Sequence, residues 1–354
     1  MEENTGPVSV RFVLSRMEAE PVFLTRHSKK SRGEQRCMMQ TAEVYEAGRK
    51  ILENIQKVMI GSAPVMEKIL TALVAGGHVL LEDVPGTGKT TLARSLAASL
   101  DCRTRRIQFT PDLLPGDITG ISIYRQNTQS FEFVPGPIFA QIILADEINR
   151  ATPRTQSALL ECMEEKQVTE GGITHILEEP FMVLATQNPI ESAGTFPLPE
   201  AQMDRFMMKL SVGCPEGEEA VRLLQRFHDQ ENPVLNLKPV SSAKEIMDMR
   251  QSCRQVHVAT DVMKYICDLC ETARKADHVR LGPSPRAMLA LMKACQALAV
   301  LRGRDYVIPD DVQELAEPVL AHRMVMRISS DSQTGADWIR EVIRCVQAPT
   351  ETRM

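Results

Sequence analysis

The segment Gly86-Thr87-Gly88-Lys89-Thr90-Thr91 constrains this chain more than any other. It follows a short apolar run, His78 to Leu81. It precedes Leu92, Leu96 and Leu100, a stripe at helical spacing. Strand, glycine loop and helix in that order make a phosphate-binding loop. Glycines at positions 86 and 88 let the backbone approach a phosphate closely. Successive N–H groups then form an anion cradle, and the helix N-terminus adds a positive dipole. Pro85, Gly86, Thr87, Gly88, Lys89, Thr90 and Thr91 are the candidate binding residues. Lys89 would reach the β- and γ-phosphates of a nucleotide, and the Thr90 hydroxyl would ligate Mg²⁺. One position departs from G-x-x-x-x-G-K-[ST]: Asp83 stands where the first glycine falls.

A second motif lies 57 residues beyond Lys89, leaving room for a helix, a strand and an insertion. Ile142-Ile143-Leu144-Ala145-Asp146-Glu147 is an apolar strand that ends in two carboxylates. Asp146 is placed to hold Mg²⁺ through water. Glu147 is placed to orient and deprotonate an attacking water. A third apolar run ends in Leu184-Ala185-Thr186-Gln187-Asn188-Pro189. An amide at such a strand end suits a γ-phosphate and the lytic water.

Two arginines follow. Arg205 lies in Pro199-Glu200-Ala201-Gln202-Met203-Asp204-Arg205-Phe206, and Arg286 follows Ser284-Pro285. Ser284 fits a helix cap and Pro285 a first helical position. A cation in a first turn opposes the helix dipole, so Arg286 makes sense beside an anion.

Around these motifs the pattern predicts an α/β fold. Apolar strands at 78–81, 141–145, 181–186 and 207–212 alternate with helices at 42–59, 64–75, 90–100 and 151–165. Such strands form a parallel sheet covered on both faces. After Cys214 the character is helical, with candidates at 218–230, 243–254, 261–275, 285–302 and 310–324. The expected division is a tail over 1–40, an α/β nucleotide-binding domain over 41–213 and a helical domain over 214–354. The tail is locally basic through Arg26, His27, Lys29, Lys30, Arg32 and Arg36. Met38 and Met39 precede the first convincing helix, so a start at Met38 would leave the first 37 residues dispensable. Two hairpins are expected, at 121–124 with 131–134, and at 167–169 with 173–176 around Gly171-Gly172.

In this order and spacing the motifs resemble those of a MoxR-type AAA+ ATPase, including the departure at Asp83. The resemblance covers about residues 41 to 330. It implies a P-loop core followed by an all-α lid. It implies that Asn188 is sensor 1 and Arg286 sensor 2, the latter touching the γ-phosphate from the lid. It implies that Arg205 is an arginine finger given to a neighbouring subunit, and that Met59, Ile60 and Gly61 lie near adenine. ATP and Mg²⁺ are the implied ligands, with ATP hydrolysed to ADP and phosphate. Self-assembly into a ring, typically a hexamer, is implied. So is a chaperone-like role on a protein client carrying a von Willebrand factor type A domain. The hairpins resemble the helix-2 and pre-sensor-1 inserts, which can face a central pore. Arg150 and Arg154, close behind Asp146 and Glu147, are further candidates to assist in trans.

Competing readings are a nucleic-acid motor, a chelatase-type motor subunit and a nucleotide switch that barely hydrolyses. Lys and Arg number 41 against 46 for Asp and Glu, a net charge of −5, and aromatics are 4%. That balance argues against a dedicated nucleic-acid surface. The intact Glu147 argues against a mere switch. No apolar run approaches the roughly 20 residues that span a bilayer, so no membrane insertion is expected. Nine scattered cysteines fit a reducing compartment, and the expected location is cytoplasmic. Cys267 and Cys270 read as core or groove cysteines rather than metal ligands.

Overall fold

A computed structural model describes residues 39–83, 86–189, 194–228, 233–327 and 334–350. The expected tail lies outside the described residues up to position 38. Met39 and Gln40 belong to the fold. The Met39 carbonyl accepts from the Ser252 hydroxyl at 2.7 Å. Glu43 accepts from the Gln40 N–H at 2.7 Å, capping the first helix.

Five strands form the central sheet: β1 (Val79–Glu82), β2 (Thr104–Gln108), β3 (Ile142–Asp146), β4 (Met182–Gln187) and β5 (Met208–Leu210). Their order is 5-1-4-3-2, and every neighbouring pair is parallel. The pairing register sets Glu82 beside Gln187, and Gln108 beside Asp146. All carboxyl ends therefore meet at one edge, where an open parallel sheet binds its ligand.

Strand alternation divides the core into two layers. Val79, Leu81, Ile142, Leu144, Met182 and Leu184 pack on one face. Leu80, Ile143, Ala145, Val183 and Ala185 pack on the other. A strand covered on both faces must be apolar at every position, which is the reason β3 reads Ile-Ile-Leu-Ala. β2 differs. It sits at the sheet margin and reads Thr-Arg-Arg-Ile-Gln, with Ile107 its one buried residue.

Helices flank these strands: α1 (Thr41–Gln56), α2 (Ala63–Ala75), α3 (Lys89–Ser99), α4 (Pro115–Thr119), α5 (Pro153–Glu165) and α6 (Glu200–Met203). Six more follow: α7 (Glu218–His228), α8 (Ala243–Cys253), α9 (Thr260–Lys275), α10 (Pro285–Leu301), α11 (Pro309–Leu320) and α12 (Gly335–Cys345). Residues 294, 295 and 297–301 of α10 are all buried, so the second half of this helix is covered on every side. Its neighbours are α1, α2, α8, α9 and α11. Arg302, just past α10, holds Glu67 of α2 through two bonds, at 3.0 and 2.8 Å, and also bonds Glu314 of α11. The helical part also carries a short antiparallel pair, Val279–Leu281 with Val325–Met326.

Both expected hairpins are present, Gly120–Arg125 with Ser130–Pro135 and Gln167–Glu170 with Ile173–Ile176. They touch through Phe133, which stacks on His175 with ring centroids 4.0 Å apart. No helix among the described residues is long and apolar enough to cross a membrane.

His78 leads into β1 and is buried. Its Nδ1 accepts from the Val183 N–H at 3.0 Å, and its Nε2 lies 3.1 Å from the Met163 carbonyl. Burial, with smaller contributions from Lys166 and Arg250, pushes the imidazole pKa down to about 4, against the opposing effect of the Met163 carbonyl. Below about pH 6.5 the unfolded chain takes up a proton that folded His78 refuses. Its stabilising contribution is therefore complete above pH 6.5 and declines as pH falls toward 4. The slope for one such group is about 1.4 kcal/mol per pH unit. In urea denaturation, His78→Asn should reduce the loss of stability between pH 6.5 and 5 by up to that slope. An unchanged slope would show that His78 is not the titrating group.

Candidate active site

The glycine loop joins β1 to α3 at the carboxyl edge of the sheet. Val84 and Pro85 lie outside the described residues, so the expectation for Pro85 has no structural counterpart. Gly86 and Gly88 have φ of 89° and 84°, the left-handed region that favours glycine. Gly88 caps α3 and, as a glycine, brings no side-chain cap to the N–H groups there. A Cβ built on Gly86 would meet nothing within 4 Å, so the space above the loop is open. Thr87 is half-buried in the loop. The Lys89 ammonium donates to the Asp83 carbonyl at 2.6 Å and reaches the Gln187 carbonyl at 3.5 Å. Burial lowers its pKa, while Asp83, Asp146, Glu147 and Glu82 oppose that shift. Thr91 is half-buried on α3, and its carbonyl accepts from the Ser95 hydroxyl.

The departure at Asp83 has a structural reason. Its carboxylate accepts from the Ser211 hydroxyl at 2.6 Å and the Val212 N–H at 2.5 Å. A glycine at this position would leave the loop untied from the chain leaving β5. Here the carboxylate fastens the two together.

Asp146 ends β3 and is buried. Its Oδ1 accepts from the Thr186 hydroxyl at 2.9 Å. Its Oδ2 accepts from Arg106 Nε at 2.7 Å and from the Thr90 hydroxyl at 3.3 Å. Glu147 follows with φ of 56°, unusual for a residue with a side chain. Such strain costs of order 1–3 kcal/mol and persists only where neighbours hold it. The Thr186 oxygen holds it by accepting from the Glu147 N–H at 2.9 Å. The Glu147 carboxylate accepts from Gln108 Nε2 at 2.9 Å and pairs with Arg150 Nε at 3.3 Å. Arg150 thus belongs to its own chain's carboxylate, whereas Arg154 is exposed at the start of α5.

Asn188 is buried just beyond β4, and its carbonyl accepts from Asn149 Nδ2 at 3.2 Å. Gln187 Oε1 and Asn149 Oδ1 are buried without a partner among the described residues. Met59 is buried, with its Cε 3.6 Å from where a Cβ on Gly88 would sit. Ile60 is half-buried. Glu219 of α7 lies against Gly61, and Arg226 of the same helix bonds the Val58 carbonyl. The segment 58–61 is therefore held between the loop and α7.

These contacts test whether ATP and Mg²⁺ fit. The loop offers backbone N–H groups and a cation. Asp146 and Thr90 offer oxygen donors in contact, and Arg106 now meets the charge of Asp146. The donor set fits a hard divalent cation and a polyphosphate.

Arg205 and Arg286 are elsewhere. Arg205 Nε pairs with Glu164 Oε2 at 3.1 Å, and Arg286 pairs with the other oxygen of Glu164. Glu164 sits at the carboxyl end of α5, beside Met163, whose carbonyl touches His78. His78 precedes β1, so this is the sheet edge opposite the loop, more than about 10 Å along the strand. The structure brings Lys89, Thr90, Asp146, Glu147 and Asn188 to one edge and the two arginines to the other. Arg286 does not reach the loop of its own chain, contrary to a lid arginine acting within one subunit. Cys270 is in the core and Cys267 is exposed. Burial pushes the Cys270 thiol up to about 12.

Arg106, Gln108, Thr186 and Glu164 are the residues that sequence reasoning missed. Arg106 and Gln108 alternate along β2, a period-2 signal that could have placed both toward Asp146.

Comparison with known proteins bears on this arrangement. Residues 78–208 match the model of the ATPase family associated with various cellular activities (AAA). Residues 271–342 match that of the AAA lid domain. A relative called Chaperone MoxR1, from Mycobacterium tuberculosis, is 41% identical over 87% of this chain and 84% of its own length. An uncharacterized Bacillus subtilis protein, YeaC, is 47% identical over 85% of this chain and 95% of its own. The crystal structure of a candidate ATPase from Cytophaga hutchinsonii superposes with a TM-score of 0.81. It is 37% identical and covers 88% of this chain and 97% of that one.

The Asp83 tie generates a prediction. Asp83→Gly restores the general loop pattern, yet it should lower stability in urea denaturation by about 2 kcal/mol, the scale of hydrogen bonds to a charged group. Unchanged stability would mean that Asp83 does not fasten the loop.

Proposed function

Since the chain belongs to the MoxR family of AAA+ ATPases, we propose that it hydrolyses ATP to ADP and phosphate with Mg²⁺. The observation that carries this reading is the linked set Lys89, Thr90, Asp146, Thr186 and Glu147 at one strand edge. Thr90 and Thr186 both touch Asp146, and Thr186 also fixes the backbone of Glu147. Few other functions need that set together.

The residues divide the work. Backbone N–H groups of the loop and Lys89 bind the phosphates. Thr90 and Asp146 would hold Mg²⁺, which when bound neutralises charge developing on the β- and γ-phosphate oxygens. Glu147 takes a proton from water as the water oxygen attacks the γ-phosphorus, and ADP leaves. Asn188 orients that water. Met59, Ile60 and Gly61 lie against the base. Arg205 and Arg286 belong to a neighbouring copy's nucleotide, so hydrolysis requires assembly into a ring, with six copies as the family's usual number. The opposite placement of loop and arginines supports this, since one chain cannot use both. The cycle serves to remodel a protein client, a role supported by the name of the 41%-identical relative. The proposed client carries a von Willebrand factor type A domain.

Two predictions follow from these roles. Glu147→Gln should bind ATP with wild-type affinity and lose turnover by roughly 10²–10⁴-fold, the worth of a general base. Isolated from its native cells with Mg·ATP but not with ADP, it should retain a von Willebrand factor A protein. Nucleic acid or a chelatase-type subunit retained instead would favour a different client. Arg205→Ala should keep ATP binding and lose turnover by about 10³-fold or more. Full turnover in that variant would remove Arg205 from the site.

A further inference from the structure

The face that carries both arginines is built around two carboxylates. Asp204 is the first. Its Oδ1 accepts from Arg323 Nε at 2.5 Å, and its Oδ2 lies 3.4 Å from the Ser284 hydroxyl. Arg323 is buried and also donates to the carbonyls of Asp204, Phe206 and Met207, at 3.2, 2.8 and 3.2 Å. Ser284 caps α10, whose first turn holds Arg286. The backbone around Arg205 and the helix bearing Arg286 are thus tied to the same side chain. The α/β part and the lid meet here.

Glu164 is the second. One of its oxygens takes Arg205 and the other takes Arg286. The side chains stay accessible: 29% for Arg205, 50% for Arg286 and 33% for Glu164. A guanidinium has five N–H donors, so one contact to Glu164 leaves others for a phosphate. Two guanidinium groups brought to one phosphate repel each other. A carboxylate behind them offsets that repulsion and fixes the direction of both.

We propose that Glu164 is a positioning residue that presents Arg205 and Arg286 as one unit to the nucleotide of a neighbouring copy. This rests on the reading above that both arginines act on a neighbour. It adds a residue outside the motifs and couples the two arginines. Exposed ion pairs contribute little to folding. The effect of removing Glu164 therefore falls on turnover and leaves stability nearly unchanged.

The test uses full-length protein assembled with Mg·ATP, with assembly followed by sedimentation. Glu164→Ala should lower kcat about tenfold, the scale of a misdirected catalytic group, with KM for ATP within about twofold of wild type. Glu164→Gln should lose less, because its amide oxygen still accepts one hydrogen bond, and it serves also if the alanine variant fails to assemble. Glu164→Ala combined with Arg205→Ala should lose less than the product of the two single losses, because one of the two arginines that Glu164 directs is already gone. Multiplicative losses in that double variant would mark Glu164 as merely structural and overturn the proposal. Wild-type kcat in Glu164→Ala and Glu164→Gln, with Arg205→Ala and Arg286→Ala still impaired, would overturn the proposal and leave the arginine reading standing. Full turnover in both arginine variants would overturn the two together.

Discussion

Asp146 is a carboxylate buried inside the protein, and the site is organised by its need for partners. Burying a carboxylate without partners costs far more than most single interactions return. Three neighbours meet the need: Thr186 on one oxygen, Arg106 and Thr90 on the other. Each comes from a different element, so the parallel register of β2, β3 and β4 and the start of α3 must all be correct at once. Thr186 then does a second task, holding the left-handed backbone of Glu147. One buried carboxylate thus links Thr90, Thr186 and the backbone of Glu147.

The same sheet forces a division of labour. Parallel strands send every crossover helix back to the opposite edge. α5 runs from the carboxyl edge, behind Asp146, to Glu164 at the far edge. β5 starts at that far edge too, directly after Arg205. An arginine placed there faces away from its own loop. The lid reinforces this, because Arg323 and Ser284 hold the Asp204 segment and keep Arg286 with it. This placement is the reason for proposing that the site is completed between copies.

Much of this was legible in the sequence where burial is two-sided. β1, β3 and β4 read as apolar runs, and the loop, Asp146, Glu147 and Asn188 follow from their ends. β2 was not legible because a marginal strand needs only one buried position, Ile107. The polar residues that hide it, Arg106 and Gln108, bond the carboxylates of Asp146 and Glu147. Glu164 gives no local signal, since its importance comes from two arginines 41 and 122 positions away. α12 is a different case. Trp338, Ile339, Val342 and Ile343 have helical spacing, and Trp338 docks on the Ala273 carbonyl at 3.1 Å. That helix was readable and lies beyond the last one that the pattern analysis names. Asp83 was visible as a departure, but its partners Ser211 and Val212 are distant in sequence and close only in the fold.

In the proposed function, one chain supplies the loop and another the arginines. Mixing two inactive variants tests it most directly. Lys89→Ala subunits lack a working loop and keep their arginines, while Arg205→Ala subunits have the reverse. Co-assembled with Mg·ATP, the two should regain ATP hydrolysis that neither shows alone, because some neighbours then pair an intact loop with an intact arginine. Mixed rings that stay as inactive as their parents would contradict the account.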